Sequence, residues 1–335
     1  MGTSNMNIEQ KSTKWRASML VVFALFALLG IGLSLICGAV NIAIPEVIHS
    51  LFGGESTYRD IIWNIRLPRT IVAALVGISL ALSGALLQGV MRNSMADPHI
   101  IGVSSGAGLF GIGVLILFPS YAYLLTPVAF IGAIGAALLI YLMAWRGGVS
   151  PLRVILAGVA VSALLNAGIS ALLTFYSDRV GGALLFLVGG LSARSWPHVN
   201  ILLPYTIIGT VLALIGSQRL NIMALGDTQA KALGLRVETY RLYFTAIATL
   251  LAASTVSVVG LLGFVGMIVP HSARLLIGSD YRWLLPASVL LSVAVLTLSD
   301  TVARLAFAPI ELPVGIVMGV LGAPFFLFLL RRREL

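Results

Sequence analysis

Long apolar runs separated by short polar segments make up most of the chain. Each run is close to the ~20 residues that an α-helix needs to cross the hydrocarbon core of a bilayer. Runs such as 67–90 are apolar on every face, so they lack the alternation that is typical of the strands of a membrane barrel. The pattern predicts membrane-spanning helices near residues 17–37, 67–91, 100–118, 124–145, 152–174, 199–217, 284–300 and 314–330.

One charge-free stretch, from Leu242 to Ala273, is too long for a single span. As one helix it would measure about 48 Å, against a hydrocarbon core of about 30 Å. Gly260 and Gly263 favour a reversal of the chain between them, so the stretch predicts two spans. The total is about ten transmembrane helices in a single domain, 1–335.

Composition supports this fold class. Of 335 residues, 59% are hydrophobic and 10% are charged, whereas soluble domains average about 25% charged residues. A soluble globule is therefore excluded, and the sequence predicts an all-α polytopic membrane protein. The single cysteine, Cys37, excludes an internal disulfide, and the four histidines lack the spacing of a zinc site. No Gly-Lys-Ser/Thr phosphate-binding loop occurs, so any ATP that drives this protein binds to another chain.

The distribution of charge gives the topology. With ten spans both termini are cytoplasmic, and most of the 21 Lys and Arg residues then fall in cytoplasmic segments, as the positive-inside rule expects. The segment 1–16 is the cytoplasmic N-terminus, 41–66 lies outside, and 219–241 is a long cytoplasmic loop. The net charge of +9 therefore requires no nucleic acid partner.

Two of these polar segments contain helix signals. In the outer segment, Pro45 and Gly53 mark the start and the end of a short surface helix. In the cytoplasmic loop, Asp227 is predicted to cap a helix over 228–233 that Gly234 ends. Ala230 and Leu233 would lie on one side of that helix, where they suit docking on a partner.

Four polar residues recur every four positions in the fifth span: Ser162, Asn166, Ser170 and Thr174. Their common face drifts by about 40° per step, so they form one polar stripe along the helix. Such a stripe can line an aqueous path. Alternatively, each hydroxyl bonds to a carbonyl one turn back or to a neighbouring helix.

Three arginines, Arg66, Arg69 and Arg304, fall at the predicted outer ends of spans, against the positive-inside trend. One interpretation is snorkelling to lipid phosphates, with Asp300 and Arg304 as an i,i+4 ion pair. The other is a carboxylate-docking site, in which Pro68 starts a helix and fixes where the guanidinium groups are presented.

Several ordered motifs resemble the permease subunits of type II ABC importers, a family that takes up iron-siderophores, haem and vitamin B12. The resemblance covers almost the whole chain. It is carried by segments 65–70 (Ile-Arg-Leu-Pro-Arg-Thr), 83–89 (Ser-Gly-Ala-Leu-Leu-Gln-Gly), 102–108 (Gly-Val-Ser-Ser-Gly-Ala-Gly), 224–227 (Ala-Leu-Gly-Asp), 232–235 (Ala-Leu-Gly-Leu), 263–274 (Gly-Phe-Val-Gly-Met-Ile-Val-Pro-His-Ser-Ala-Arg), 311–316 (Glu-Leu-Pro-Val-Gly-Ile) and 322–326 (Gly-Ala-Pro-Phe-Phe).

The resemblance implies a multi-pass permease of the bacterial inner membrane that is not itself an enzyme. It works with a second permease copy, most simply as a homodimer, with two cytoplasmic ATPases and with an extracytoplasmic substrate-binding protein. ATP and Mg²⁺ would bind to the ATPases, and this chain would hold no cofactor or metal. The cargo would be an iron-siderophore or haem, with cobalamin as the alternative.

The resemblance also implies roles for residues. Binding-protein docking falls on Arg66, Arg69 and Arg304, and the translocation path on the polar stripe. The cytoplasmic gate maps to the turn 147–151, with Ser150 and Pro151. ATPase coupling falls within about 221–235, on Leu225, Gly226, Asp227, Ala230, Leu233 and Gly234.

A self-sufficient secondary transporter is the competing class, and it would need a titratable residue inside a span to couple to protons or sodium. Asp97, Asp178, Asp300 and Glu311 are all predicted at span ends, which disfavours this class.

Overall fold

A computed structural model describes residues 12–38, 40, 42–53, 57–146 and 148–332. Most of the predicted N-terminal segment, four residues of the predicted outer segment and Gly147 of the predicted gate turn lie outside the described residues. The described part is built from helices, and its one β-bridge joins Trp145 to Val149.

Thirteen α-helices occur in the described residues. They are α1 (Thr13–Ile36), α2 (Ile44–Leu51), α3 (Leu67–Met91), α4 (Val103–Leu117), α5 (Leu125–Ala144), α6 (Pro151–Phe175), α7 (Val180–Val188), α8 (Trp196–Ala224), α9 (Asp227–Ala232), α10 (Val237–Val259), α11 (Val265–Ile277), α12 (Tyr281–Leu305) and α13 (Val314–Arg332).

All ten predicted spans correspond to helices. Seven described helices are long and apolar enough to cross a membrane, and α4, α11 and α13 are shorter apolar helices. The charge-free stretch divides as predicted, because α10 ends at Val259 and α11 begins at Val265. The short helix predicted within segment 41–66 is also present, as α2, with proline in its first turn and Gly53 at a φ of +93° just beyond its end.

Helix α3 forms the centre of the bundle and packs against α8, α10, α11 and α12. In its most apolar stretch 83% of the residues are buried, compared with 22% in α6. Its approach to α11 is so close that a Cβ on Gly84 would lie 1.8 Å from the carbonyl oxygen of Gly266, so only glycine fits there. Helix α6 is therefore the long helix that the fold of one chain leaves most uncovered.

Helix α7 is an element that the sequence analysis did not predict. Its nine residues are too few for a span, and two glycines in its first turn weaken the helical signal. Tertiary contacts hold it in place, since Ala183 and Phe186 are buried and the carbonyl of Phe186 accepts the N–H of Leu261.

Candidate functional site

The predicted docking arginines lie close to one another at the start of α3 and the end of α12. Arg66 donates to the carbonyl oxygens of Leu35, Ile36 and Val40. These carbonyls end α1 and begin the following segment, so the guanidinium group supplies the donors that a helix C-terminus lacks. Arg66 thereby fixes the exit of α1 against α3.

Arg69 is the centre of a buried ion-pair network. Its Nε and Nη2 donate to the two carboxylate oxygens of Asp300 at 3.0 and 2.9 Å, a bidentate pair, and its Nη1 donates to Glu311 at 2.8 Å. Asp300 is only 1% exposed. We call Arg66, Arg69, Arg304, Asp300 and Glu311 the outer ionic cluster.

Arg304 completes the outer ionic cluster. Its Nη2 donates to the carbonyl and the hydroxyl of Ser34, at 3.0 and 3.1 Å, and its Nη1 donates to the carbonyl of Cys37 at 3.1 Å. The predicted i,i+4 ion pair with Asp300 is confirmed, at 3.4 Å.

The outer ionic cluster differs from both interpretations of the arginines. Arg66, Arg69 and Arg304 are 5, 7 and 8% exposed, so they neither snorkel to lipid nor present free guanidinium groups in this conformation. Asp300 lies inside α12 and not at its end. Burial follows from pairing, because an arginine among helices is stable there only with acceptors around it. A partner could dock on these guanidinium groups only if groups of the cluster exchanged partners.

The predicted coupling helix is present as α9, with a different cap. Gly226 is the N-cap at a φ of +110°, and Asp227 is the first helical residue. The predicted capping role of Asp227 is therefore wrong. Its carboxylate instead accepts hydrogen bonds from Arg241 at 2.9 and 3.0 Å. A charged guanidinium group is a stronger hydrogen-bond donor to a carboxylate than a backbone N–H is. Gly234 follows the helix at a φ of +81°, as predicted.

The two sides of α9 also differ from the prediction. Ala230 is completely buried, so it faces this chain and not a partner. Leu233 and Leu225 are 63 and 56% exposed. Two leucines exposed on one short polar loop form the apolar surface that a partner could cover.

The polar stripe lies on the uncovered helix α6. Asn166, Ser170 and Thr174 are exposed and Ser162 is partly buried. The exposed face has the stripe along one edge and residues such as Leu164, 70% exposed, along the other. The hydroxyl of Thr174 donates to the carbonyl of Ser170 at 2.7 Å. Thr174 therefore forms the hydrogen bond to a carbonyl one turn back that the alternative interpretation expects.

The turn before α6 is tied to α10. Ser150 is the N-cap of α6 and Pro151 lies in its first turn. Next to them, the N–H of Val149 donates to Glu238 at 3.0 Å, and its carbonyl accepts from Nη1 of Arg241 at 2.7 Å. Arg241, only 2% exposed, thus binds the predicted gate turn with one nitrogen and α9 with the other.

Glu238 and Arg241 were not among the residues singled out from the sequence. Their i,i+3 spacing at the start of α10 was a signal for an ion pair, which the structure contains at 2.7 Å. The partners on α9 and on the gate turn could not be inferred from this spacing.

Asp280 stabilises the same end of the bundle. Its carboxylate accepts from Arg282 at 2.8 Å and from Asn221 of α8 at 2.7 Å. The Arg282 side chain, with Asn221, lowers the pKa of Asp280 to about 2. Because the folded-state pKa is depressed, this stabilisation is present above the ordinary carboxyl pKa and is lost only as the pH falls towards 2. The start of the loop that carries α9 is thus anchored to α12 at physiological pH.

Within the described residues no group of three His, Cys, Asp or Glu side chains could hold a metal ion. The arrangement consists of a buried outer ionic cluster, an uncovered polar stripe and an apolar loop surface joined to the gate turn.

Comparisons with known proteins agree with this architecture. The Fe(3+)-citrate import system permease protein YfmE of Bacillus subtilis strain 168 is 39% identical over 328 residues, which cover 96% of this chain and 98% of the relative. The cobalamin import system permease protein BtuC of Halobacterium salinarum is 42% identical over 285 residues, 84% of this chain and 76% of the relative.

A solved structure of a transporter assigned to the metal-chelate ABC type, in an inward-facing conformation, superposes with a TM-score of 0.85 at 29% identity. It covers 95% of this chain and all of the other chain. The resemblance to type II ABC importer permeases, in sequence and in fold, is confirmed. The profile of the FecCD transport family matches residues 25–332, and the chain belongs to this family.

Proposed function

We propose that the chain is the membrane-spanning subunit of an ATP-driven importer that carries a ferric chelate across the inner membrane of a bacterium. The proposal rests on the 39% identity of the chain with a ferric-citrate permease over 96% of its length. The chelate class is an iron-siderophore, ferric citrate included, or haem. Cobalamin is the second candidate, because a cobalamin permease is equally similar over a shorter part of the chain.

The assembly would contain a second copy of the chain, two ATPases that bind ATP and Mg²⁺, and an extracytoplasmic binding protein. The second copy would face α6, since a polar stripe in a bilayer needs a partner or water. Both termini would be cytoplasmic. The ATPases would cover Leu225 and Leu233 on the loop that carries α9.

Alternating access would follow from these contacts. ATP-driven movement of the ATPases displaces α9, and Arg241 transmits the displacement to the turn at Ser150 and Pro151. The path between the two α6 helices then opens towards one side of the membrane. The binding protein would dock by offering a carboxylate to Arg69 in place of the half-exposed Glu311.

Transport in proteoliposomes that contain the chain and its partner subunits tests the proposal. We expect ATP-dependent uptake of a ferric chelate or haem, and much slower uptake of cobalamin. Preferential uptake of cobalamin would select the second candidate. Uptake driven by a proton or sodium gradient without ATP would contradict both candidates.

Cysteines placed singly at Ser162, Asn166, Ser170 and Thr174, in a Cys37→Ala background, should react with a water-soluble thiol reagent. Thiolates form only where water reaches, so reactivity reports the aqueous path. The rates should change when nucleotide is trapped on the ATPase. Cysteine at buried Ile169 is the matched control and should stay unreactive. Equal labelling at Leu164 would place the path elsewhere.

A further inference from the structure

A lateral cavity of about 630 Å³ lies between α5, α8 and α10. It is lined by Tyr123, Thr126 and Ile131 of the α5 region, by His198 and Tyr205 of α8, and by Arg194. No residue of α6 lines it, so the second copy proposed above need not cover it. The cavity is large enough for a small-molecule ligand, for which about 300–1,000 Å³ is usual.

The charge in this cavity is uncompensated. None of the ion pairs among the described residues includes Arg194, unlike Arg69 or Arg241. Its Nε is completely buried and has no hydrogen-bond acceptor. Arg194 itself is partly buried, just before the start of α8, and a cation in such a place normally has an anion or carbonyl groups beside it. Arg194 therefore has no counter-ion among the residues that the structure describes.

His198 faces the same space. Its Nδ1 lies 3.2 Å from the backbone nitrogen of Ser195, whose N–H donates to it. Its Nε2 lies 3.2 Å from Nη1 of Arg194, and the tautomer decides whether it donates or accepts. In the tautomer that is protonated on Nε2, both groups are donors, and an oxyanion beside them would accept from each.

The shape of the site distinguishes a lipid from a small anion. Arg194, Thr126 and Pro197 line the cavity at the ends of the spans, whereas Ile131 and Tyr205 lie one to two turns deeper. A second cavity, of about 220 Å³, lies further along the same two helices, between α5 and α10, and is almost entirely apolar. From Thr126 to Leu138 of the second cavity α5 rises about 18 Å, close to the ~15 Å of one leaflet.

We infer that this cavity and the second cavity, which forms an apolar seam between α5 and α10, together bind one anionic phospholipid. Arg194 and His198 bind the phosphate, and the seam between α5 and α10 holds an acyl chain. The lining residues Ile131, Ile201 and Tyr123 are exposed, and a tyrosine beside the end of a span is typical of the aromatic belt. A lipid can reach such a site from the bilayer without crossing a protein barrier.

Native mass spectrometry of the full-length chain, titrated with phosphatidylglycerol in detergent micelles, tests the inference. We expect one phosphatidylglycerol per chain, bound in preference to phosphatidylcholine with the same acyl chains. Arg194→Gln should weaken phosphatidylglycerol binding by about tenfold or more, the effect of losing one charge-assisted hydrogen bond. Arg179→Gln, on a half-exposed arginine outside the cavity, is the matched control and should bind as the wild type does.

A second variant fills the seam and leaves Arg194 intact. Ala246 is exposed and lines the second cavity, so Ala246→Trp should weaken binding of the lipid without affecting the fold. Unchanged lipid binding in both Arg194→Gln and Ala246→Trp would overturn the inference. So would equal binding of phosphatidylcholine, or displacement of the lipid by inorganic phosphate at a similar concentration, which would indicate a small-anion site. If Arg194→Gln abolished only binding-protein docking, a partner carboxylate would be the missing counter-ion.

Discussion

Arg69→Met should destabilise the chain by about 3 kcal/mol or more, because it leaves Asp300 buried without its bidentate partner. Methionine preserves most of the side-chain volume and removes the charge. Arg304 still approaches Asp300 at 3.4 Å and compensates only in part. The measurement is thermal unfolding of the purified permease, followed by intrinsic fluorescence.

Two further variants separate charge pairing from loss of packing. Arg179→Met removes an arginine whose pair with Asp178 is largely solvent-exposed, and it should change stability by less than about 1 kcal/mol. Adding Asp300→Asn to Arg69→Met removes the orphaned charge and should restore most of the lost stability. A single mutant as stable as the wild type would show that Asp300 does not need Arg69.

Glu311→Gln distinguishes docking from a purely structural role of the outer ionic cluster. The Glu311 side chain is 42% exposed, so loss of its charge should affect stability little while weakening its hold on Nη1 of Arg69. If a carboxylate of the binding protein replaces Glu311, this variant should dock more tightly at low ionic strength, with the gain diminishing as salt screens the charges. Weaker docking would mean that the arginines only support the surface.

The spans could be predicted because their signal is local. A run of about twenty apolar residues has few alternatives to a membrane-spanning helix, and even the division between α10 and α11 follows from the thickness of a bilayer. Helix α7 lacks such a signal, because its nine residues depend on α4 and on the segment after α10 for burial. The length of an apolar run therefore predicts a membrane-spanning helix, but it gives no signal for a helix as short as α7.

The partners of charged residues could not be predicted. Asp300 is 231 positions from Arg69, and Asp227 is 14 positions from Arg241. Sequence reasoning therefore assigned Asp227 to its own helix and left the arginines facing outwards. Only the packing of α3 against α12, and of α9 against α10, brings these charges together. The motifs mark one member of each pair, since Arg69 and Asp227 lie in segments that carry the family resemblance, whereas Asp300 and Arg241 lie outside those segments.

Arg241→Met should uncouple ATP hydrolysis from transport. One guanidinium group joins Asp227 of α9 to Val149 of the gate turn, with distances of 2.9 and 2.7 Å. Its loss removes charge-assisted hydrogen bonds on both sides, so movement of α9 no longer displaces the turn. We expect transport in proteoliposomes to fall by about tenfold or more, while binding of the ATPase and its ATP turnover persist. Asp227 and Glu238 are each 39% exposed, so water can solvate them and the chain stays folded.

Two further variants in the same segment distinguish loss of coupling from loss of ATPase binding. Leu233→Asp alters the exposed apolar surface and should release the ATPase itself, so both transport and stimulated turnover fall. Arg236→Met removes an exposed arginine five residues before Arg241 and should leave both activities unchanged. If Arg241→Met also released the ATPase, Arg241 would only maintain the shape of α9. Wild-type transport in Arg241→Met would require a connection between the ATPase and the gate that bypasses α10. Uncoupling confined to Arg241→Met would identify this side chain as the link, because the other two variants leave its contacts in place.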